Sequence, residues 1–255
     1  MALDPVAVLV ILAVSAFTPP LVFLGVVRRT ERYGREPLGR VLRTFLWGAI
    51  FAVIVAVILS TVLYVVYQEI DRVYVFSGRF ANLETIVLAL LIAPLTEEFA
   101  KGVGVYLARP IIDEPEDGLV YGAASGLGFA ASENLLYGLT ALLLPEGSLE
   151  LSLLVIGVRS VSSALLHASS TAAFGYGIAL RRLWPHRFRA LPYYLLAVAM
   201  HSAYNFTASL GELERDALGE NAALIGLLGA IVLALVAFTA IRAKIRTSDD
   251  LRVTW

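Results

Sequence analysis

From Phe45 to Tyr67 the chain carries no charged residue, and from Ala222 to Ile241 it again carries none. A helix rises about 1.5 Å per residue, so roughly 20 apolar residues cross a hydrocarbon layer of about 30 Å. Both runs meet that length. Five further segments reach it with polar interruptions, giving expected spans at about 5–27, 44–67, 83–108, 118–144, 150–181, 190–209 and 220–241. Of the whole chain, 58% is hydrophobic and 16% charged, with a mean hydropathy of +0.78. That is too little charge to coat a water-soluble globule of this size. Composition therefore excludes a soluble enzyme, a nucleic-acid binder and a disordered protein, and predicts an all-α, polytopic membrane protein of about seven helices.

The chain, 1–255, reads as a single integral membrane domain, without linker, internal repeat or low-complexity stretch. Cysteine is absent, which excludes a thiol nucleophile, a thiolate metal site and a disulfide. Asp4 stands where a secretory signal would carry a basic residue, so the first apolar segment reads as a retained span. Pro19-Pro20 within it should kink the helix or end it early.

Basic residues set the expected orientation. Arg28, Arg29, Arg32, Arg35, Arg40 and Arg43 follow the first span; Arg181, Arg182, Arg187 and Arg189 follow the fifth; Arg242, Lys244, Arg246 and Arg252 form the tail. The opposite loops hold only Arg72, Arg79 and Arg215. The asymmetry predicts an outer N-terminus and a cytoplasmic C-terminus. The acidic loop 109–117 fits that pattern least well, and His186, between Pro185 and Arg187, should be solvated.

Removing the loop charges leaves Glu97, Glu98, Lys101, Glu133, Arg159, His167 and His201 at membrane depth, with Asn134 and Asn205. Each ionisable group there costs at least about 2.5–3.5 kcal/mol, and such groups usually face a cavity and serve function. All nine fall on the third to sixth spans. That segregation predicts a polar centre of four helices supported by three apolar ones, and counting helical rise brings Glu97, Glu133, His167 and His201 within a turn or two of mid-bilayer.

Spacing puts them on shared faces. Lys101 lies i,i+4 from Glu97 and i,i+3 from Glu98 and can pair with either. Phe129, Glu133 and Tyr137 form one row, and His201 and Asn205 another. Gly118, Gly122 and Gly126, with the serines around His167, let neighbouring helices approach closely. Bland roles stand beside these: Lys101 as an ion-pair partner only, Arg159 snorkelling to the surface, Asn134 and Tyr137 as interhelical supports, and the histidines as hydrogen-bonding links. Two adjacent carboxylates have no packing use that offsets their cost.

Carboxylates, two imidazoles and an amide in a half-dry cavity suit hydrolysis: a glutamate deprotonates water, directly or through a metal, and amide or imidazole donors hold the oxyanion. Two histidines with a carboxylate also form a common catalytic zinc set. HExxH is absent, no Asp lies inside a span, and the last span lacks the lysine a retinal protein needs. Ser125 in Ala123-Ala124-Ser125-Gly126 offers a serine-protease alternative with His201. A proton-coupled transporter or channel is the rival from another class, although no inverted repeat is visible.

The ordered motifs Glu97-Glu98-x-x-Lys101, Phe129-x-x-x-Glu133-Asn134-x-x-Tyr137, Arg159 with His167, and His201-x-x-x-Asn205 resemble the PrsW family of intramembrane proteases, over about residues 83–209. That family is similar in turn to CAAX-prenyl endopeptidases, from which the lysine spacing and Glu133 in place of a histidine depart. The resemblance implies Glu97 as water activator, Glu133 as its partner, and His201 with Asn205 as oxyanion donors. It implies zinc or another divalent metal held by Glu133, His167 and His201, or no metal if the mechanism is that of a glutamate protease. The implied partner is a membrane-anchored protein such as an anti-sigma factor, cut at the plasma membrane of a prokaryote.

Overall fold

The computed structural model describes residues 4–80, 82–185 and 189–251; His186, Arg187 and Arg252 lie outside them. The described residues are mostly helical, joined by short loops. α1 is Pro5–Arg28, α2 is Leu38–Tyr74, α3 covers 83–108, α4 is Pro115–Leu143, α5 is Leu149–Leu183, α6 is Leu191–Ala208 and α7 is Ala222–Leu251. Two single-turn helices, Leu210–Leu213 and Arg215–Leu218, connect the last two.

Among the described residues, four helical stretches are long and apolar enough to cross a membrane: Pro5–Arg28, Leu38–Tyr74, Leu149–Leu183 and Arg215–Ser248. The helices at the other three expected spans, α3, α4 and α6, fall short of that standard. Their composition is the reason. α3 carries Glu97, Glu98 and Lys101, α4 carries Glu116, Asp117 and Glu133, and α6 is short and holds His201 and Asn205. Outward faces of α1, α2 and α7 are lined with exposed Val, Leu and Ile, among them Val10, Val57, Val62, Leu228 and Val232. An apolar surface of that extent is stable only against lipid. The protein is an integral membrane protein.

α4 is the central strut, packed against α1, α2, α3 and α5 and buried along most of its length. Its glycine stripe permits this. A Cβ at Gly118, Gly122 or Gly126 would lie 2.3, 2.4 or 2.1 Å from a main-chain oxygen of α5. On the opposite side, a Cβ at Gly128 would lie 1.9 Å from the Phe45 carbonyl oxygen of α2. The contacts are backbone on backbone, as small-residue stripes allow in membranes.

Three local features depart from expectation. α1 does not end at Pro19-Pro20 but runs on to Arg28, with Pro20 buried against the bundle; tertiary packing carries the helix past the lost main-chain bonds. α5 is interrupted at Ser162 (φ −119°, ψ −78°). There Ser162 Oγ donates to the Val158 carbonyl at 2.9 Å, competing with the helical ladder. α2 and α3 each contain a widened turn, at Trp47–Ala52 and Leu88–Ile92, of the kind that marks sites where neighbours engage the backbone.

That engagement is extensive on α3. Its carbonyls accept side-chain hydrogen bonds from Asn205 (to Ala89, 2.8 Å), Ser202 (to Leu90, 2.7 Å), Tyr194 (to Leu95, 2.8 Å), Trp47 (to Ala100, 3.1 Å) and Ser125 (to Lys101, 2.8 Å). Donors from α2, α4 and α6 thus fix the helix that carries the glutamate pair.

Outside the apolar layer, the loop between α1 and α2 folds back on the start of α4. Buried Glu36 accepts from the Tyr121 hydroxyl, its N–H donates to Glu31 at 3.1 Å, and its carbonyl accepts from Arg28 at 2.7 Å. Asp117 caps α4 by accepting from the N–H groups of Asp113 and Glu114, each at 2.9 Å. Burial pushes the Asp117 carboxyl up to about 9, with nearby Glu36 adding to the effect and the two N–H bonds opposing it.

Candidate active site

The charged residues at membrane depth meet at one place. Glu98 and Lys101 are fully buried and ion-paired at 2.7 Å, while Glu97 lies 3.5 Å from the same ammonium. Lys101 therefore faces both carboxylates, with Glu98 the nearer. The Glu98 carboxylate also accepts from Ser170 (3.0 Å), Thr171 (2.9 Å) and His201 Nδ1 (3.0 Å). Its lone pairs are taken up within the protein.

The tautomers follow from these neighbours. A carboxylate only accepts, so His201 carries its hydrogen on Nδ1, and Nε2 of the neutral ring presents a lone pair. That Nε2 lies 3.8 Å from Glu97 Oε2. An ammonium only donates, so Lys101 Nζ, 2.8 Å from His167 Nδ1, leaves the His167 hydrogen on Nε2, which donates to Glu133 at 2.9 Å. The two imidazole rings meet edge to face, 4.8 Å between centroids. Phe129 sits beside them, 5.4 Å from the His167 ring and 4.5 Å from Lys101 Nζ.

Arg159 does not snorkel away. It pairs with Glu133 at 2.7 Å, donates to Asn134 Oδ1 at 3.0 Å and Ser163 Oγ at 3.1 Å, and lies 3.7 Å over the Tyr137 ring. Glu133 is thus a partner of Arg159 and His167 rather than of Glu97. Asn205, on the same α6 face as His201, gives an amide hydrogen to Ala89 O and keeps a second.

A cavity of 190 Å³ opens among these groups, lined by Glu97, Glu133, Arg159, His167, His201 and Asn205, with Tyr137, Tyr204, Ala89 and Ala93. Glu98 and Lys101 stay behind its wall. Glu97 Oε2 is buried with no hydrogen-bond partner, whereas both oxygens of Glu98 and Oε2 of Glu133 are hydrogen-bonded. The two adjacent glutamates are chemically distinct: one enclosed, one turned to the cavity.

Donor atoms of Glu97, His167 and His201 lie within 4.8 Å of one another, so the compact metal-capable set contains Glu97 where the motifs suggested Glu133. The reason is Arg159, which holds Glu133 aside. His201 is oriented as metal-binding histidines are, its far nitrogen anchored on a carboxylate. His167 Nε2 would have to leave Glu133 to join. The set fits a divalent ion of the zinc type.

Ser125 is not a nucleophile in this arrangement. It is fully buried and bonded to the Lys101 carbonyl, and Gly126 beside it serves packing. Ser170, Thr171 and Tyr204 were less visible in the sequence. Ser170 and Thr171 look like part of a small-residue face, and Tyr204, bonded to Ser162 at 3.0 Å, is signalled only by its i,i+3 spacing from His201.

Fold and cluster together define an integral membrane protein with a carboxylate–imidazole cavity among its helices. A family model described as PrsW family intramembrane metalloprotease matches residues 36–241, and the chain belongs to that family. It is similar to the protein named Protease PrsW of Geobacillus kaustophilus, 29% identical over 75% of this chain and 77% of that one. It is likewise similar to Protease PrsW of Clostridioides difficile, 28% identical over 75% and 76% of the two chains. No solved structure matches. The chain is an intramembrane protease, a hydrolase, and membership decides against the transporter alternative.

Proposed function

We propose that Glu97 activates the hydrolytic water, and that the polar centre of α3, α4, α5 and α6 is the catalytic centre of a seven-span protease. The carrying observation is the buried Glu97 Oε2, in no hydrogen bond and 3.5 Å from Lys101, beside a 190 Å³ cavity. Glu97 takes a proton from a water held in the cavity. The water oxygen bonds to the scissile carbonyl carbon, and the oxyanion accepts the second amide hydrogen of Asn205. Glu97 then returns its proton to the departing amine nitrogen as the C–N bond breaks, giving a carboxyl and an amine end.

Glu98 and Lys101 act from behind the wall. They fix the ring of His201 and the tautomer of His167, so that His201 Nε2 presents a lone pair toward the water site. This departs from the oxyanion-donor role the motifs implied for His201. Glu133, oriented by Arg159 and Asn134, holds His167. Glu97, His201 and His167 would hold a bound divalent ion, which would supply a water of lowered pKa and polarise the carbonyl.

The substrate is a single-span, membrane-anchored protein of the anti-sigma-factor kind, with the N-terminus of the protease outside and its C-terminus in the cytoplasm of a prokaryotic plasma membrane. The support is the basic loop bias and the family. Co-reconstitution with such a substrate in liposomes tests the assignment. Glu97→Gln should abolish cleavage; wild-type-like cleavage by that variant would remove Glu97 from the mechanism.

A further inference from the structure

Four arginines around the α1–α2 loop contrast in their surroundings. Arg28 and Arg35 donate to carbonyls of Glu36 and Glu31, holding the loop in shape. Arg40 and Arg43 have no ion-pair partner among the described residues, and both are exposed. They lie three apart on one side of α2, and Arg43 is the last charge before the apolar run, so both stand where the helix enters the lipid.

Directly beside them a cleft of 510 Å³ opens between α2 and the C-terminal end of α3. Arg40 and Arg43 line its polar end, and Trp47, Phe51, Leu107 and Ile111 line the remainder. Its shape comes from an enforced helix contact. Trp47 Nε1 is bonded to Ala100 O at 3.1 Å, and a Cβ at Gly104 would lie 2.4 Å from the Trp47 ring.

We propose that this cleft is a binding site for an anionic phospholipid, its phosphate held by Arg40 and Arg43 and one acyl chain laid along Trp47, Phe51, Leu107 and Ile111. Guanidinium groups match phosphate oxygens in geometry and charge. Basic pockets between membrane helices at the lipid–water boundary recognise anionic headgroups. Neither a free phosphate nor an acidic peptide makes use of a cleft that runs on below the last charge into the apolar layer. A zwitterionic lipid offers no net charge to two unpaired arginines. The site is separate from the cavity around Glu97.

Native mass spectrometry of the full chain in detergent tests this, with phosphatidylglycerol and phosphatidylcholine of identical acyl chains as probes. Phosphatidylglycerol should be retained preferentially. The double variant Arg40→Gln with Arg43→Gln should weaken its binding about thirtyfold, from roughly fivefold per arginine. Ala108→Trp, which fills the cleft and leaves both charges, should weaken it as well. On the wild type, glycerophosphoglycerol, an acidic peptide and inorganic phosphate should not compete. Equal retention of the two lipids, unchanged binding in either variant, or competition by any of the soluble anions would overturn the assignment. The lipid comparison and the competitions use wild-type protein, so they decide the matter even if a variant misfolds.

Discussion

Glu97 and Glu98 are neighbours in sequence with opposite surroundings: Glu98 is sealed behind the cavity wall with hydrogen bonds from Lys101, Ser170, Thr171 and His201, while Glu97 Oε2 makes no hydrogen bond and only a 3.5 Å ion-pair contact with Lys101. A helix turns about 100° per residue, so a doublet necessarily faces two directions. One carboxylate is held inside the protein and the other lines the cavity.

Stability should separate the pair. Glu98→Gln leaves the Lys101 ammonium without its nearest counter-charge, and breaking such a buried pair costs about 3–5 kcal/mol. Glu97→Gln breaks no hydrogen bond to Oε2 and gives up only the longer 3.5 Å contact with Lys101, so its melting temperature should fall less than that of Glu98→Gln. Both should lose cleavage. Thermal unfolding in detergent, read beside the cleavage assay, checks the difference.

Arg159 should tolerate little. Its fork holds Glu133, Asn134 and Ser163 together, a geometry lysine cannot reproduce. Arg159→Gln should lower kcat about 100-fold by releasing Glu133 and with it His167, as misplacement of about 1 Å does elsewhere. Arg159→Lys should recover part of that loss, since the charge remains. KM for a single-span substrate should move little in either variant.

Gly126 is a spacing residue for the site. Gly126→Ala places a methyl 2.1 Å from the His167 carbonyl oxygen, so α4 and α5 must separate. Overpacking of this kind costs about 1–3 kcal/mol, and here it also lengthens the reach from Glu133 to His167. A lower melting temperature with reduced cleavage is expected. Gly25→Ala, where a Cβ meets nothing within 4 Å, is the matched control and should change neither.

Asp117 gives the fold a pH dependence at the membrane surface. Burial pushes its carboxyl up to about 9 in the folded chain, against about 3.9 when unfolded, so between those values the folded state binds more protons. Stability from this group is present in acid and is lost as pH rises toward 9. Asp117→Asn keeps a carbonyl oxygen for the Asp113 and Glu114 N–H groups and removes the titration. Its melting temperature should fall less steeply from about pH 6 to about pH 9 than that of the wild type.

Much of this was legible because charge is so costly in lipid. Once loop residues were set aside, the ionisable remainder had to be grouped, and Glu97, Glu98, Lys101, Glu133, Arg159, His167 and His201 do meet. Pairing was not legible. Spacing allows Lys101 either glutamate, and it cannot show that Glu133 turns to Arg159, which moves the metal-capable carboxylate to Glu97. Ser170 and Thr171 were hidden by their size, since a small residue facing a helix reads as packing. Pro19-Pro20 does not end α1 early, because local propensity yields to the bundle around it.

The grip of other helices on the carbonyls of α3 has a consequence for biogenesis. Trp47, Ser125, Tyr194, Ser202 and Asn205 arrive from three different helices, and the last of them is inserted after most of the chain. Until α6 docks, neither His201 nor Asn205 faces Glu97. On the proposed mechanism a nascent chain is therefore inert toward its neighbours in the bilayer, and proteolytic competence waits for α6 to dock.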